Sequence, residues 1–151
     1  MTWQLAQLNV AKWRYPVGDP RLADFVDNLD HINHMGDAAP GWVWRFEDES
    51  GSAIETRAFE DDPDMLLNLT VWESIEALWD FAFKTEHVEF LRRRGEWFVP
   101  HGAEPSTVMW WVPEGHRPST DEAVERLAHL AEHGPSPYAF SFRDAHDPPA
   151  D

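Results

Sequence analysis

The stretch MLLNLTVWESIEALWDFAFKTEHVEFLRRRGEWF, residues 65–98, decides the fold of this 151-residue chain. Its first eight residues run without a charge or a breaker, with Leu66, Asn68, Thr70 and Trp72 on one side of an extended strand and Leu67, Leu69 and Val71 on the other. A strand uncharged on both sides is expected to be covered on both sides. Ser74 reads as a helix cap, followed by Ile75, Leu78, Trp79, Ala82 and Phe83 at helical spacing. Beyond Thr85 a second periodic run sets His87, Leu91, Arg94 and Phe98 on one stripe. One histidine and one arginine are therefore expected to look inward among apolar side chains.

The flanking sequence supplies partners for that strand. Trp3 to Ala11 alternates, with Trp3, Leu5, Gln7 and Asn9 on one face and Gln4, Ala6, Leu8 and Val10 on the other. Asp19 and Pro20 open a helix whose inner stripe is Leu22, Phe25, Val26, Leu29, Ile32 and Asn33, and Gly36 ends it. Trp42 to Phe46 reads as a second strand and Thr107 to Val112 as a fourth, closed by Pro113. Between these lie an acidic turn at 47–52, an aperiodic stretch at 55–64 and a loop at 100–105. Ser119 with Glu122 forms a capping box for a last helix, with Ala123, Val124, Leu127, Leu130 and Ala131 facing inward. Tyr138, Phe140 and Phe142 alternate as an extended segment. Residues 1–143 are expected to form one domain, with 144–151 a disordered, acidic, proline-bearing tail.

Composition narrows the function. Forty-two per cent hydrophobic residues and nine tryptophans fit a packed core. No cysteine is present, which excludes disulfides, thiolate metal or haem ligands and a cysteine nucleophile. A net charge of −16 opposes binding to nucleic acid and anionic membranes, and the one basic cluster, Arg92 to Arg94, sits between Glu89 and Glu96. No apolar segment approaches the ~20 residues that span a bilayer, so a soluble cytoplasmic protein is the expectation.

The order strand, helix, strand, strand, helix, strand predicts an α+β fold: a ferredoxin-like βαββαβ plan with a four-stranded antiparallel sheet and an extra C-terminal helix. The apolar face with Leu67, Leu69 and Val71 then needs a cover. Two sheets packed face to face in a homodimer would supply it.

Several side chains are candidates for a site. Gln7, Asn9, Asn33, Asn68 and Thr70 are polar groups expected under the sheet, where they either close a structural network or line a cavity with Trp44, Trp72 and Trp110. His87 suits a general base, a ligand hydrogen bond or an axial haem ligand, against the plainer role of a histidine bonded to a backbone carbonyl. Arg94 suits a substrate carboxylate or enolate, against a salt bridge to Glu73 or Glu96. His31-x-x-His34 lacks a third metal ligand. His129, Glu132 and His133 spell an inverted zincin motif, but in the last turn of a helix, so no metal site is assigned.

The segments LAQLN at 5–9, PGWVWRF at 40–46, NLTVWES at 68–74, the run from His87 to Phe98 and WWVPEGHRP at 110–118 resemble the bacterial DUF3291 family. That family is similar to the antibiotic biosynthesis monooxygenases of the dimeric α+β barrel superfamily. The resemblance implies a homodimeric, cofactor-free oxygenase acting on an apolar aromatic or polyketide-like compound, with His87, Asn9 and Arg94 catalytic and Gln7, Asn33, Trp44, Asn68, Trp72 and Trp110 against the substrate. The superfamily's haem-degrading branch is similar at Thr70 to Trp72 and implies haem as an alternative. Its early-strand asparagine matches Asn9, while its helical ligand histidine matches nearer Leu91 than His87. A non-catalytic ligand-binding dimer is the third expectation.

Overall fold

The computed structural model describes residues 2–48, 64–100 and 105–150, and its sheet is built on β1 (Trp3–Trp13). On one edge β1 pairs antiparallel with β3 (Met65–Trp72), from Leu5 opposite Trp72 to Lys12 opposite Met65. On the other it pairs with β5 (Thr107–Pro113), from Trp3 opposite Pro113 to Asn9 opposite Thr107. The strand β2 (Trp42–Arg45) adds to the far edge of β3. Farther along β1, a two-residue β4 (Phe98–Val99) pairs with Lys12 and Trp13. The sheet is thus five-stranded rather than four-stranded. A strand of two residues carries no periodicity by which it could be read.

The four longer strands keep the antiparallel ferredoxin-like order, and the fold is α+β. A 3₁₀ turn at Pro20–Leu22 precedes α1 (Ala23–Asp37), and α2 (Ile75–Lys84), α3 (His87–Arg92) and α4 (Thr120–His133) follow in order. Capping side chains set the helix starts. Ser74 accepts from the Ala77 amide at 3.1 Å, and Ser119 from the Glu122 amide at 3.1 Å. Asp19 accepts from the Arg21 amide and pairs with its guanidinium, which holds the Asp19 carboxyl down at about 2. The periodic run after Thr85 does not continue as one helix. It stops at Arg92, and a 3₁₀ turn at Arg94–Glu96 leads into β4. The acidic turn at 47–52, the aperiodic stretch at 55–64 and the loop at 100–105 lie largely outside the described residues.

Side-chain alternation splits the sheet into two faces. On one, Leu8, Val10, Leu67, Leu69, Val71, Val108 and Trp110 are buried in a cluster with Ala123, Leu127 and Leu130 of α4. This is the face that the sequence assigns to a partner sheet. The chain's own α4 lies on it, because the inner stripe of that helix offers an apolar surface already tethered to β5, without the entropic cost of association.

The opposite face carries α1, α2 and α3, held by two separate apolar clusters. At one end Leu5, Trp72 and Met109 pack with Leu78 and Phe81 of α2 and with Phe140. At the other end Trp13, Leu66 and Phe98 pack with Leu22, Phe25, Phe90 and Trp97. Close approaches rest on glycines. A Cβ on Gly36 would meet the Phe81 ring at 3.4 Å, and one on Gly41, at φ +82°, would fall 2.4 Å from the Ala77 Cβ. Val26, expected inward, is exposed. Residues 144–150 carry no helix or strand, and the His146 carbonyl accepts a hydrogen bond from the Trp111 indole at 2.8 Å. Among the described residues no helix is long and apolar enough to cross a membrane.

Candidate functional site

Between the two clusters the middle of the helix-covered sheet face is polar, and the helices stand away from it. The space left is a cavity of about 1070 Å³. Its floor consists of Gln7 and Asn9 of β1 and Asn68, Thr70 and Trp72 of β3. The register sets Gln7 beside Thr70 and Asn9 beside Asn68, so period-two alternation delivers all of these side chains to one surface.

The floor side chains form a directed chain. The Trp72 indole donates to Thr70 Oγ1, Thr70 donates to Gln7 Oε1, and Gln7 Nε2 donates to Asn9 Oδ1, each at 2.9 Å. Asn68 Nδ2 also donates to Asn9 Oδ1, at 2.9 Å. Asn9 therefore spends its carbonyl twice, and its NH₂ group has no partner among the described residues. The Asn68 carbonyl likewise has none. The network is real and is left incomplete on the cavity side. Asn33 of α1 lines the same space, and its side chain makes no hydrogen bond among the described residues.

His87 reaches the cavity from the start of α3. Thr85 places it: its hydroxyl donates to the Phe81 carbonyl at 2.6 Å and accepts from the His87 amide at 3.2 Å, joining the end of α2 to the start of α3. The His87 ring lies 5.0 Å from that of Phe81. His87 Nδ1 sits 3.1 Å from the Ala82 carbonyl oxygen. A carbonyl only accepts, so Nδ1 carries the proton and Nε2 keeps its lone pair. Burial pushes the imidazole pKa below its ordinary 6.5, partly offset by the bond to Ala82. The ring is neutral at pH 7, and Nε2 is a basic nitrogen with no protein partner among the described residues.

Arg94 also lines the cavity, together with Leu91 and Phe98. The predicted bridges to Glu73 or Glu96 do not form. Glu96 is taken by Arg93 at 2.8 Å, which also reaches Asp24 at 2.7 Å, and the Arg94 guanidinium has no ion pair among the described residues. Three more arginines border the space with partners of their own. Arg14 donates to the Gly95 carbonyl at 3.0 Å, Arg45 pairs with Asp37 at 3.2 Å, and Arg92 pairs with Glu89 at 2.5 Å. The remaining wall is apolar, with Phe25, Phe81, Phe90 and Phe142 prominent.

Two expected lining residues lie elsewhere. Trp110 stands opposite Ala6, and Trp44 opposite Val71, which puts both on the face under α4. The Trp110 indole donates to Glu122 of α4 at 2.8 Å, and Arg117 lies over the Trp44 ring. The signal was in the alternation: Trp110 is two residues from Val108 and Val112, both buried on that face. Of the aromatic walls, Phe25 reads from sequence as an ordinary inward helix position, and Phe81 and Phe90 fall off the stripes that the spacing assigns to their helices. Among the described residues no three His, Asp or Glu side chains gather to hold a metal ion. His31 pairs with Glu86, and His34 bonds the Asp30 carbonyl.

Comparison with known proteins gives one family. The model of the domain of unknown function DUF3291 matches residues 4–151. No curated protein matches the chain. Among solved structures, a Pseudomonas aeruginosa protein aligns with a TM-score of 0.47 at 13% identity, covering 79% of this chain and 98% of that one. A protein of unknown function from Nitrosomonas europaea gives 0.47 at 9% identity, covering 78% and 95%. A candidate antibiotic biosynthesis monooxygenase from Chloroflexus aurantiacus gives 0.42 at 16% identity, covering 76% and 97%.

Proposed function

We propose, for a chain that belongs to the DUF3291 family, that the cavity binds an apolar aromatic or polyketide-like compound and oxidises it with dioxygen and no cofactor. The observation that carries this reading is His87: a neutral imidazole whose Nδ1 is tied to a backbone carbonyl and whose Nε2 has no partner among the described residues, in a cavity of about 1070 Å³. A basic nitrogen in a largely apolar space, beside unpartnered amide donors, suits removal of a proton next to an aryl ketone.

In this mechanism the substrate lies against Trp72 and the phenylalanine walls. His87 Nε2 takes a proton from an activated methylene. The enolate oxygen that forms is held by the NH₂ group of Asn9, with Asn33 and Arg94 as further donors. The enolate carbon then gives its electrons to dioxygen, and the imidazolium returns the proton to the peroxide. Loss of water leaves a ketone. One oxygen atom ends in the carbonyl and the other in water, so the electrons balance without an external reductant. The reading needs no second subunit.

The test is oxygen uptake with a tricyclic aryl ketone such as anthrone, followed by quinone absorbance. Turnover by the native chain and a loss of about 10²–10⁴ in kcat for His87→Ala are expected. Full turnover by His87→Ala would refute the role. Tight binding without uptake would leave a passive ligand-binding protein. The free Nε2 also meets the requirement for an axial haem ligand, so haemin is titrated in parallel. A Soret band that vanishes in His87→Ala would replace the cofactor-free reading.

A further inference from the structure

We propose that Trp72, Thr70 and Gln7 form a one-way hydrogen-bond wire that locks the Asn9 amide with its NH₂ group toward the cavity, so that the ligand oxygen bound there is a phenolate or enolate. The inference rests on the cavity being a ligand site and adds the chemical class of the ligand and the residues that select it.

The direction of the wire follows from the chemistry of its first member. An indole N–H can only donate. The Thr70 oxygen therefore accepts from Trp72, and its single proton, which has no other acceptor among the described residues, goes to the Gln7 carbonyl instead of leaving the hydroxyl to accept twice. That leaves the Gln7 NH₂ group to face Asn9, which must answer with its carbonyl. Asn68 presents an NH₂ group to the same oxygen. Turning the Asn9 amide over would set three NH₂ groups against one another and break both bonds. Trp72 and Thr70 are buried, so water does not easily rescue a reversed arrangement. Asn9 is thus held as a donor, and an oxygen that meets it is an acceptor.

Charge gives a second, independent pointer. The chain holds 28 Asp and Glu against 12 Lys and Arg. Yet among the described residues no carboxylate lines the cavity, while Arg14 after β1, Arg45 of β2, Arg92 of α3 and Arg94 beyond it do. His87 is the other titratable group facing the space, and it is neutral. Arg14, Arg45 and Arg92 have partners, and the Arg94 guanidinium has none among the described residues. Among the described residues the cavity of this acidic protein is thus bordered by positive side chains and by no negative one, which favours a bound anion.

The experiment uses two probes on the intact chain: phenylnaphthylamine, a neutral fluorophore, and nitronaphthol, whose absorbance reports its ionisation. Phenylnaphthylamine binding establishes that the cavity takes an aromatic ligand. Bound nitronaphthol is expected to titrate at least about one pH unit below the free compound, the shift that donors and a nearby cation give an anion. Thr70→Ser, which keeps the hydroxyl, should retain the shift. Thr70→Val, which breaks the wire, should lose most of it, read at nitronaphthol concentrations that saturate the variant. Trp72→Phe, which removes the fixed donor, should reduce it. A bound fluorophore with no shift for nitronaphthol, or with the same shift in Thr70→Val as in the native chain, overturns the wire and leaves the cavity reading standing. If neither probe binds, both fall.

Discussion

Replacing Thr70 by valine keeps the shape of the side chain and removes its hydroxyl, so the stability loss reads the wire with no ligand present. Trp72 is 1% exposed and Thr70 6%. In Thr70→Val the indole N–H has no acceptor and no water, which costs about 1–3 kcal/mol. Gln7, also 6% exposed, loses its donor in both proteins that carry Thr70→Val, so its carbonyl cancels from the comparison. Trp72→Phe removes the same bond from the other side and loses part of a ring, but orphans nothing, because Thr70 still donates to Gln7. In the double variant no indole remains to be stranded. The two losses should therefore fall short of additivity by about 1–2 kcal/mol, within the range for residues that share a bond. The assay is urea unfolding of all four proteins, accepted only where the denaturant slope is unchanged. Additivity within about 0.5 kcal/mol would refute the reasoning, because it would mean that the Trp72–Thr70 bond contributes nothing.

Two further perturbations probe how the site is held. Gly41→Ala forces a side chain to φ +82° and to 2.4 Å from the Ala77 Cβ. The left-handed backbone costs about 1–2 kcal/mol and the crowding about 1–3 kcal/mol, and the first turn of α2 must move. A midpoint loss worth less than about 1 kcal/mol would contradict this packing. His87 titrates below 6.5 in the folded chain, so the unfolded state binds its proton first as the medium is acidified. Stability is full above pH 6.5 and falls toward the folded pKa, with a slope of at most about 1.4 kcal/mol per pH unit. His87→Gln should flatten that acid limb in urea titrations on either side of pH 6.5. An unchanged acid limb would place the imidazole in water.

The polar floor was legible because alternation is local. Gln7, Asn9, Asn68, Thr70 and Trp72 share a face wherever β1 and β3 are strands, and both strands are long. Helix caps were equally local, as Ser74 and Ser119 show. Trp110 and Trp44 lie on the other face because parity along the strand decides the side, whatever a flat aromatic would suit in an aromatic cavity. Arg94 reached the cavity by a different route from the one its spacing suggested. The helix ends at Arg92, and a 3₁₀ turn supplies the remaining rotation. The two-residue β4 and the seat of α4 depend on long-range pairing, which no window of sequence contains. The polarity of the wire needed distances as well, since two amides and a hydroxyl on one face can point either way.

The seat of α4 bears on how the site withstands dilution. In a protein whose sheet is backed by a second subunit, the strands under the cavity are only as firm as the dimer, and a site at low concentration loosens with dissociation. Here Ala123, Leu127 and Leu130 press on the back of β1, the strand that carries Gln7 and Asn9, and on β5 beside it. Backing and floor belong to one covalent chain, at an effective concentration that does not change with the solution. The support that α4 gives to Gln7 and Asn9 is therefore present in each molecule, the same in a crowded cell and in a dilute cuvette.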